Sequence, residues 1–265
     1  MTKKVFAVAA HPDDIELMMA GTLFQLRDAG CELHYMNIAN GDCGSAEYDR
    51  PTLARVRREE AMQAARFLKA QFHESLCSDL EIFYDTGLLK RMTAVIREVK
   101  PDILLVHYPF DYMEDHCNAS RLAVGAAFCR GMMNFVSEPS LPPILNDVTV
   151  YHAMPHGMRD MLGRRVEADF FVNISPVIEL KQEMLSQHRS QKEWLDVSQG
   201  MDSYLLEMRC QAEKCGRASG KYKHAEGWIR HNHLGFCAAD ANPLAELLQT
   251  AVCAVNHKLR DDNDE

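Results

Sequence analysis

"VAAHPDDIELMMAGTL", residues Val8 to Leu23, joins an apolar run to a helix-like stretch and places a histidine, a proline and two adjacent aspartates at the seam. The run "KVFAVAA" before it reads as a first buried strand, and the helix after Asp14 carries Leu17, Met18, Gly21 and Leu26 before ending near Gly30. The same alternation returns downstream. "CELHYMNIA" reads as a second strand, Gly41 to Arg50 as a loop rich in turn formers, and "PTLARVRREEAMQAARFLKA" as a helix opened by proline with Leu53, Val56, Ala64, Phe67 and Leu68 on its apolar stripe. "GLLKRMTAVIREVK" is a further helix, and "ILLVHY" a strand whose unbroken apolar character fits burial on both faces. Strands alternating with helices predict an α/β fold, a mostly parallel sheet with helices on both faces.

Beyond it, "HCNASRLAVGAAFCRGMMNF" reads as a helix, "SEPSLPP" as a loop, and "DVTVYHA" and "DFFVNI" as strands. "SPVIELKQEMLSQHRSQKEWL" reads as one helix with Ser175 as N-cap and Pro176 at its first position. With no repeat, low-complexity tract or linker, residues 1–265 are expected to form a single domain whose acidic end "RDDNDE" is frayed.

Composition narrows the function. Hydrophobic residues at 47% and charged residues at 25% match a folded globular chain. The net charge of -9 offers no basic surface for a phosphate backbone, so nucleic acid is excluded as a partner. The opening "MTKKVFAVAAHPDD" lacks a proper signal-peptide core, and no run reaches the eighteen or so apolar residues of a membrane span, so a cytoplasmic protein is expected. Nine cysteines without a CxxC pair predict reduced, small apolar side chains rather than a disulfide framework.

In open parallel sheets ligands collect beyond the carboxyl ends of the strands. His11, Asp13 and Asp14 fall there, facing the positive end of the next helix, with Pro12 stiffening the turn. "HYPFDYMEDH" sets a second His/Asp group at the end of "ILLVHY". Catalytic zinc takes three protein ligands and keeps one position for water. His11, Asp14 and His116 meet that count and leave Asp13 to accept a proton from the water. Taken alone, HPDD also suits a turn with a capping aspartate, His107 a satisfied strand end and Asp111 a turn cap; His34, His73, His233 and His257 read as surface or structural. Two such clusters in one chain favour the metal site.

At this point the chain resembles a known family, the zinc-dependent N-acetylglucosaminyl deacetylases of the PIG-L or LmbE-like type. "AAHPDDIELMMAGTL" is similar to its AHPDD-E-xxxGGT signature, "VRREEAMQAARFL" to its R-x-x-E-A helix and "EDHCNAS" to its HPDH segment. "FVNISPVIELKQEMLSQHRSQ" resembles its late strand and helix ending in H-x-SQ, and "YKHAEGWI" its C-terminal YAE-F element. The resemblance implies a Rossmann-like sheet, zinc on His11, Asp14 and His116, and Asp13 as general base. It also implies substrate-binding roles for Arg57 and Glu60, a small N-acylated sugar as substrate, and a homo-oligomer. The stretch "RGMMNF" is nonetheless read as core helix rather than interface. No G-x-G-x-x-G follows the first strand, so no nicotinamide is expected.

One departure matters: HPDH is "MEDH" here, so Met113 replaces a histidine that polarises the substrate or protonates its amine. Asp115, next to a histidine ligand and poorly placed to bind the same ion, is then expected either to support the ligands from behind or to act as an acid/base partner, and His224 is ranked first as replacement donor, ahead of Tyr112, His107 and His152. The expected reaction is hydrolysis of an N-acetyl group. The alternatives are a metal-dependent hydratase or lyase acting on a small carboxylate, and a non-catalytic carbohydrate-binding relative. Zinc is the expected ion, and Fe2+ suits the same donors.

Overall fold

The computed structural model describes residues 2–199 and 204–255. The expected frayed tail and His257 lie outside the described residues.

The first half follows the alternation: β1 (Lys4–Ala9), α1 (Asp14–Met18), α2 (Ala20–Asp28), β2 (Glu32–Asn37), α3 (Arg50–Leu68), β3 (Gln71–His73), α4 (Thr86–Val99), β4 (Ile103–Val106) and α5 (Glu114–Cys129). The second half adds β5 (Thr149–Ala153), β6 (Phe170–Asn173), α6 (Ile178–Leu185), α7 (Arg189–Gln199), α8 (Tyr204–Ser219), β7 (Ala225–Arg230), α9 (Pro243–Leu248) and β8 (Val252–Ala254). All eight strands form one sheet in the order β3-β2-β1-β4-β5-β7-β6-β8. The first five in that order run parallel, while β7 is antiparallel to both β5 and β6, and β6 to β8.

Side chains alternate across a strand, so β1 feeds two cores. Val5, Ala7 and Ala9 pack with Leu23 and Leu26 of α2 and Ala61 and Ala64 of α3. Phe6, Val8 and Ala10 pack with Met92 and Ile96 of α4 and Leu122 and Ala126 of α5. Helices cover both faces, as the sequence predicts, and β1 and β4 end side by side.

Several elements differ from the sequence reading. The helix after Asp14 breaks at Met19, whose φ of -129° is not helical. The stretch 175–195 is not one helix: Pro176 lies in a 3-10 turn, α6 stops at Leu185, and α7 starts at Arg189. Ser175 does not cap it; its Oγ donates to the His224 carbonyl and accepts from the His224 N–H. The interruption lets His188 sink fully beside Glu16, with Nε2 3.2 Å from Oε1. The helix expected through "RGMMNF" ends at Cys129, because the Arg97 guanidinium gathers the carbonyls of Cys129, Arg130, Met132 and Phe135 and pulls the chain out of helical register. Met133 is consequently 82% exposed rather than core. Strand β7, "AEGWIR", had no clear alternating pattern to announce it. All nine cysteines are free, as expected.

The fold also sets an acid limit. His152 on β5 is buried, with Nδ1 2.8 Å from the His107 carbonyl and Nε2 2.9 Å from His231 Nδ1. Burial, reinforced by His231 and only partly offset by the carbonyl, pushes its imidazole down to about 4. The unfolded chain therefore takes up a proton as pH falls through about 6.5, which the folded chain declines until about 4. The stabilising difference is complete above that window and shrinks within it. Between pH 7 and 5 urea unfolding should show a loss of about 2 kcal/mol from this group, and His152→Asn should flatten that slope.

Candidate active site

The turn after β1 is held from four sides. Asp14 Oδ2 accepts the His11 N–H at 2.7 Å, Asn37 donates to the His11 carbonyl at 2.7 Å, and the Ala10 N–H donates to His107 Nε2 at 3.0 Å. Buried Arg57 donates to the Pro12 carbonyl and, at 3.4 Å, to that of Gly41. Gly41 has a φ of +79°, and a Cβ there would stand 2.7 Å from the Arg57 side chain, so glycine is required by both conformation and space. These bonds fix Asp13 in a left-handed conformation with φ 111°. Such a strained aspartate at a strand end is typical of a working site.

Asp14 sits at the centre. Its Oδ1 lies 3.3 Å from His116 Nε2, and its Oδ2 3.5 Å from His11 Nδ1. The far nitrogen of each imidazole meets another carboxylate: His11 Nε2 is 2.9 Å from Asp115 Oδ2, and His116 Nδ1 is 2.9 Å from Asp111 Oδ1. Histidines that ligate metals are usually oriented in this way, with the outer N–H given to a carboxylate and the inner nitrogen free. His116 Nε2 is buried and has no hydrogen-bond partner. The donor atoms of His11, Asp14 and His116 lie within 4.8 Å of one another.

Electrostatics agree with a cation there. Burial disfavours charge on both imidazoles, yet the Asp115 and Asp14 carboxylates outweigh it at His11, which is raised to about 9. Asp14 and Asp111 do the same at His116, raised to about 10. Asp14 is itself held well below the carboxylate range, its burial outweighed chiefly by His116 and His107. The field around these three groups favours positive charge, so the residues fit a divalent ion. Two other groupings, His107 with Asp111 and His116, and Asp42 with Cys43 and Asp79, have comparable spacing. In the first, His107 Nε2 accepts the Ala10 N–H. In the second, Asp42 pairs with Arg50 and Asp79 accepts the N–H groups of Gly41 and Cys43. The donors of the second grouping are thus committed, whereas the first shares His116 with the cluster around Asp14.

Asp13 lies beside the cluster, with Oδ1 3.7 Å from Arg57 Nη2 and Oδ2 accepting the Tyr204 hydroxyl at 2.6 Å. Burial is the main force on its carboxyl; Arg57 and the Tyr204 bond oppose it, Asp14 adds to it, and the group is raised to about 6. A carboxylate with that basicity accepts a proton readily near neutrality.

The other residues singled out in the sequence take varied places. Arg57, expected to bind substrate, is buried, clamps the HPDD turn and faces Asp13. Glu60 has both oxygens taken by Ser190, from the backbone N–H at 2.9 Å and the hydroxyl at 2.6 Å, so it ties α3 to α7. Asp115 Oδ2 lies 2.9 Å from His11 Nε2 and accepts the Leu80 N–H at 2.8 Å, a placement that fits the supporting one of its two expected roles. His224 does not join the cluster: its charged neighbours are Lys223, Glu213, Arg209 and Glu179. His152 is bonded to the His107 carbonyl and His231, away from the reacting groups. Tyr112 does reach the site, its ring 5.7 Å from that of His116.

Sequence reading missed two residues. Asp111 caps a turn as expected, accepting the Met113 N–H, but also holds His116; its place five residues before that histidine was the available signal. Tyr204 comes from 191 residues beyond Asp13 and carries no local signal. Tyr204→Phe should lower kcat about tenfold with metal content unchanged, because Asp13 loses the bond that aims it. Steady-state kinetics with elemental analysis will check this.

Fold and site together give a sheet-end group of residues able to hold a metal, with a buried carboxylate beside it, an arrangement suited to metal-dependent hydrolysis. Residues 6–127, which contain His11, Asp14 and His116, are similar to the PIG-L family, described as GlcNAc-PI de-N-acetylase. The chain is 29% identical over 235 residues to diacetylchitobiose deacetylase of Thermococcus kodakarensis, covering 85% of this chain and 82% of that protein. It is 29% identical over 131 residues to 4-oxalmesaconate hydratase of Pseudomonas putida, covering 46% and 50% respectively. The solved N,N'-diacetylchitobiose deacetylase of Pyrococcus horikoshii, complexed with its inhibitor MPG, shares the fold at 24% identity and a TM-score of 0.74, over 91% of this chain and 88% of that one. No helix among the described residues is long and apolar enough to cross a membrane.

Proposed function

We propose that this chain hydrolyses the N-acetyl group of an amino sugar or a small conjugate of one, with zinc held by His11, Asp14 and His116. The observation that carries the reading is the pairing of two carboxylate-oriented histidines with Asp14, next to a second, separately held carboxylate, Asp13. Zinc in such a donor set acts as a Lewis acid that makes water nucleophilic near neutral pH. Fe2+ suits the same nitrogen and oxygen donors.

The chain's own groups supply the rest. Asp13 takes the proton of the attacking water on its carboxylate, and with a basicity near 6 it can return that proton to the departing amine. Tyr204 and Arg57 keep the carboxylate aimed while this happens. Tyr112 takes over from the histidine absent at Met113: burial, then Asp14, Asp111 and Asp13, raise its hydroxyl and keep it protonated, so it donates to the amide oxygen as negative charge develops. Tyr112→Phe should reduce kcat about 100-fold while KM changes little, as loss of a donor used only in the transition state requires.

The deacetylase relatives support this reading, and the Pseudomonas putida relative keeps a hydratase as its rival. Products separate them. Protein stripped by chelator and reloaded with zinc should release equal amounts of acetate and free amine from N-acetylated sugars. Hydration of an unsaturated carboxylate without either product would favour the rival.

A further inference from the structure

A cavity of about 440 Å³ lies between α5 and the segment after β7, and none of His11, Asp14 and His116 lines it. His107 stands between the two places. Its ring belongs with the cluster, Nε2 3.3 Å from Asp14 Oδ2 and the plane stacked on His116 at 4.1 Å. Its carbonyl accepts from two residues of the cavity wall, the Ser120 hydroxyl at 2.7 Å and His152 Nδ1 at 2.8 Å.

These bonds fix where the protons of the wall stand. A carbonyl only accepts, so His152 Nδ1 carries the proton it shares with His107. Burial holds the His152 and His231 imidazoles below their ordinary value, so near neutral pH each has one N–H. His152 Nε2 is then bare, and His231 Nδ1, 2.9 Å away, donates to it. His231 in turn keeps a bare Nε2, an acceptor on a half-buried residue of the wall.

The opposite chemistry stands at Arg121. Its guanidinium lies 5.3 Å over the Tyr84 ring and pairs with no carboxylate among the described residues, and no acidic side chain among them lines the cavity. Tyr84 is seated by Gly125: a Cβ there would come 2.7 Å from the tyrosine hydroxyl. Glycine weakens a helix interior, and here the space it leaves inside α5 goes to the ring that holds the arginine. Phe128 and Phe236, with ring centres 5.8 Å apart, supply flat apolar surface, and His231 stands edge-on to Phe236 at 5.2 Å. An unpaired cation, a fixed acceptor and aromatic walls around one cavity of this size are what a small-molecule site requires.

We infer that this cavity binds a small aromatic carboxylate that also carries a hydroxyl: the carboxylate meets Arg121, the ring lies against Phe128 and Phe236, and the hydroxyl donates to His231 Nε2. The site is separate from the reaction centre and does not depend on which reaction occurs there.

Calorimetry on the zinc-loaded full chain near neutral pH, with 6-hydroxy-2-naphthoate, 2-naphthoate and 2-naphthol as probes, tests this. The hydroxynaphthoate should bind once per chain, about threefold tighter than 2-naphthoate, which lacks the hydroxyl. It should bind at least about tenfold tighter than 2-naphthol, which lacks the carboxylate. Arg121→Gln, at an exposed position, should bring hydroxynaphthoate and naphthol to equal affinity, and His231→Phe should do the same for hydroxynaphthoate and naphthoate. Absence of binding to the native chain overturns the inference. A carboxylate preference that survives Arg121→Gln, or a hydroxyl preference that survives His231→Phe, places the probe elsewhere, the metal included, and overturns it as well. Equal affinity of the native chain for hydroxynaphthoate and naphthoate removes the bond to His231 and overturns the assigned ligand chemistry.

Discussion

Asp13→Asn should lower kcat about 1,000-fold while the protein keeps one metal per chain. The substitution preserves shape, and its amide oxygen still accepts the Tyr204 hydroxyl, so the turn held by Arg57, Asn37 and Asp14 has no reason to move. What disappears is the group that accepts the water's proton. Because His11, Asp14 and His116 are untouched, metal binding and catalysis should separate cleanly. Kinetics with elemental analysis on one preparation make the comparison. Retained turnover removes Asp13 from the role of base.

His116→Ala should act on the metal instead, dropping its content below about a tenth of an equivalent after dialysis and abolishing turnover, since only two protein ligands remain for an ion that uses three. Asp111→Asn gives a graded control. It leaves all three ligands in place but weakens the hold on His116 Nδ1, so chelator competition should show affinity reduced about 10- to 100-fold. A full metal equivalent in His116→Ala would move the centre to another grouping, such as Asp42 with Cys43 and Asp79.

Much of this site was legible in sequence because its core is local. His11, Asp13 and Asp14 follow one strand, Asp115 and His116 open the helix after another, and the parallel topology that sets those ends side by side is encoded in the alternation of apolar runs. Contacts made across the chain were not legible. Arg57 and Glu60 share a helix facing the site, yet what each grips depends on how Pro12, Gly41 and Ser190 are brought to it. His224 looked promising from its neighbours in sequence, but its N–H and carbonyl are spent on Ser175 and Ile174, and its ring faces Glu213 of α8. The single helix expected over 175–195 failed for a similar reason: burying His188 beside Glu16 and docking Ser190 on Glu60 favour a break that periodicity cannot show.

The most direct test of a hydrolytic metal centre is turnover of an N-acetylated amino sugar in 18O-labelled water by the zinc-reloaded chain. The account predicts one labelled oxygen in each acetate released, free amine in equal amount, and neither from the chelator-stripped protein. An intact amide, with label appearing instead in a hydrated carboxylate substrate supplied alongside, would contradict it.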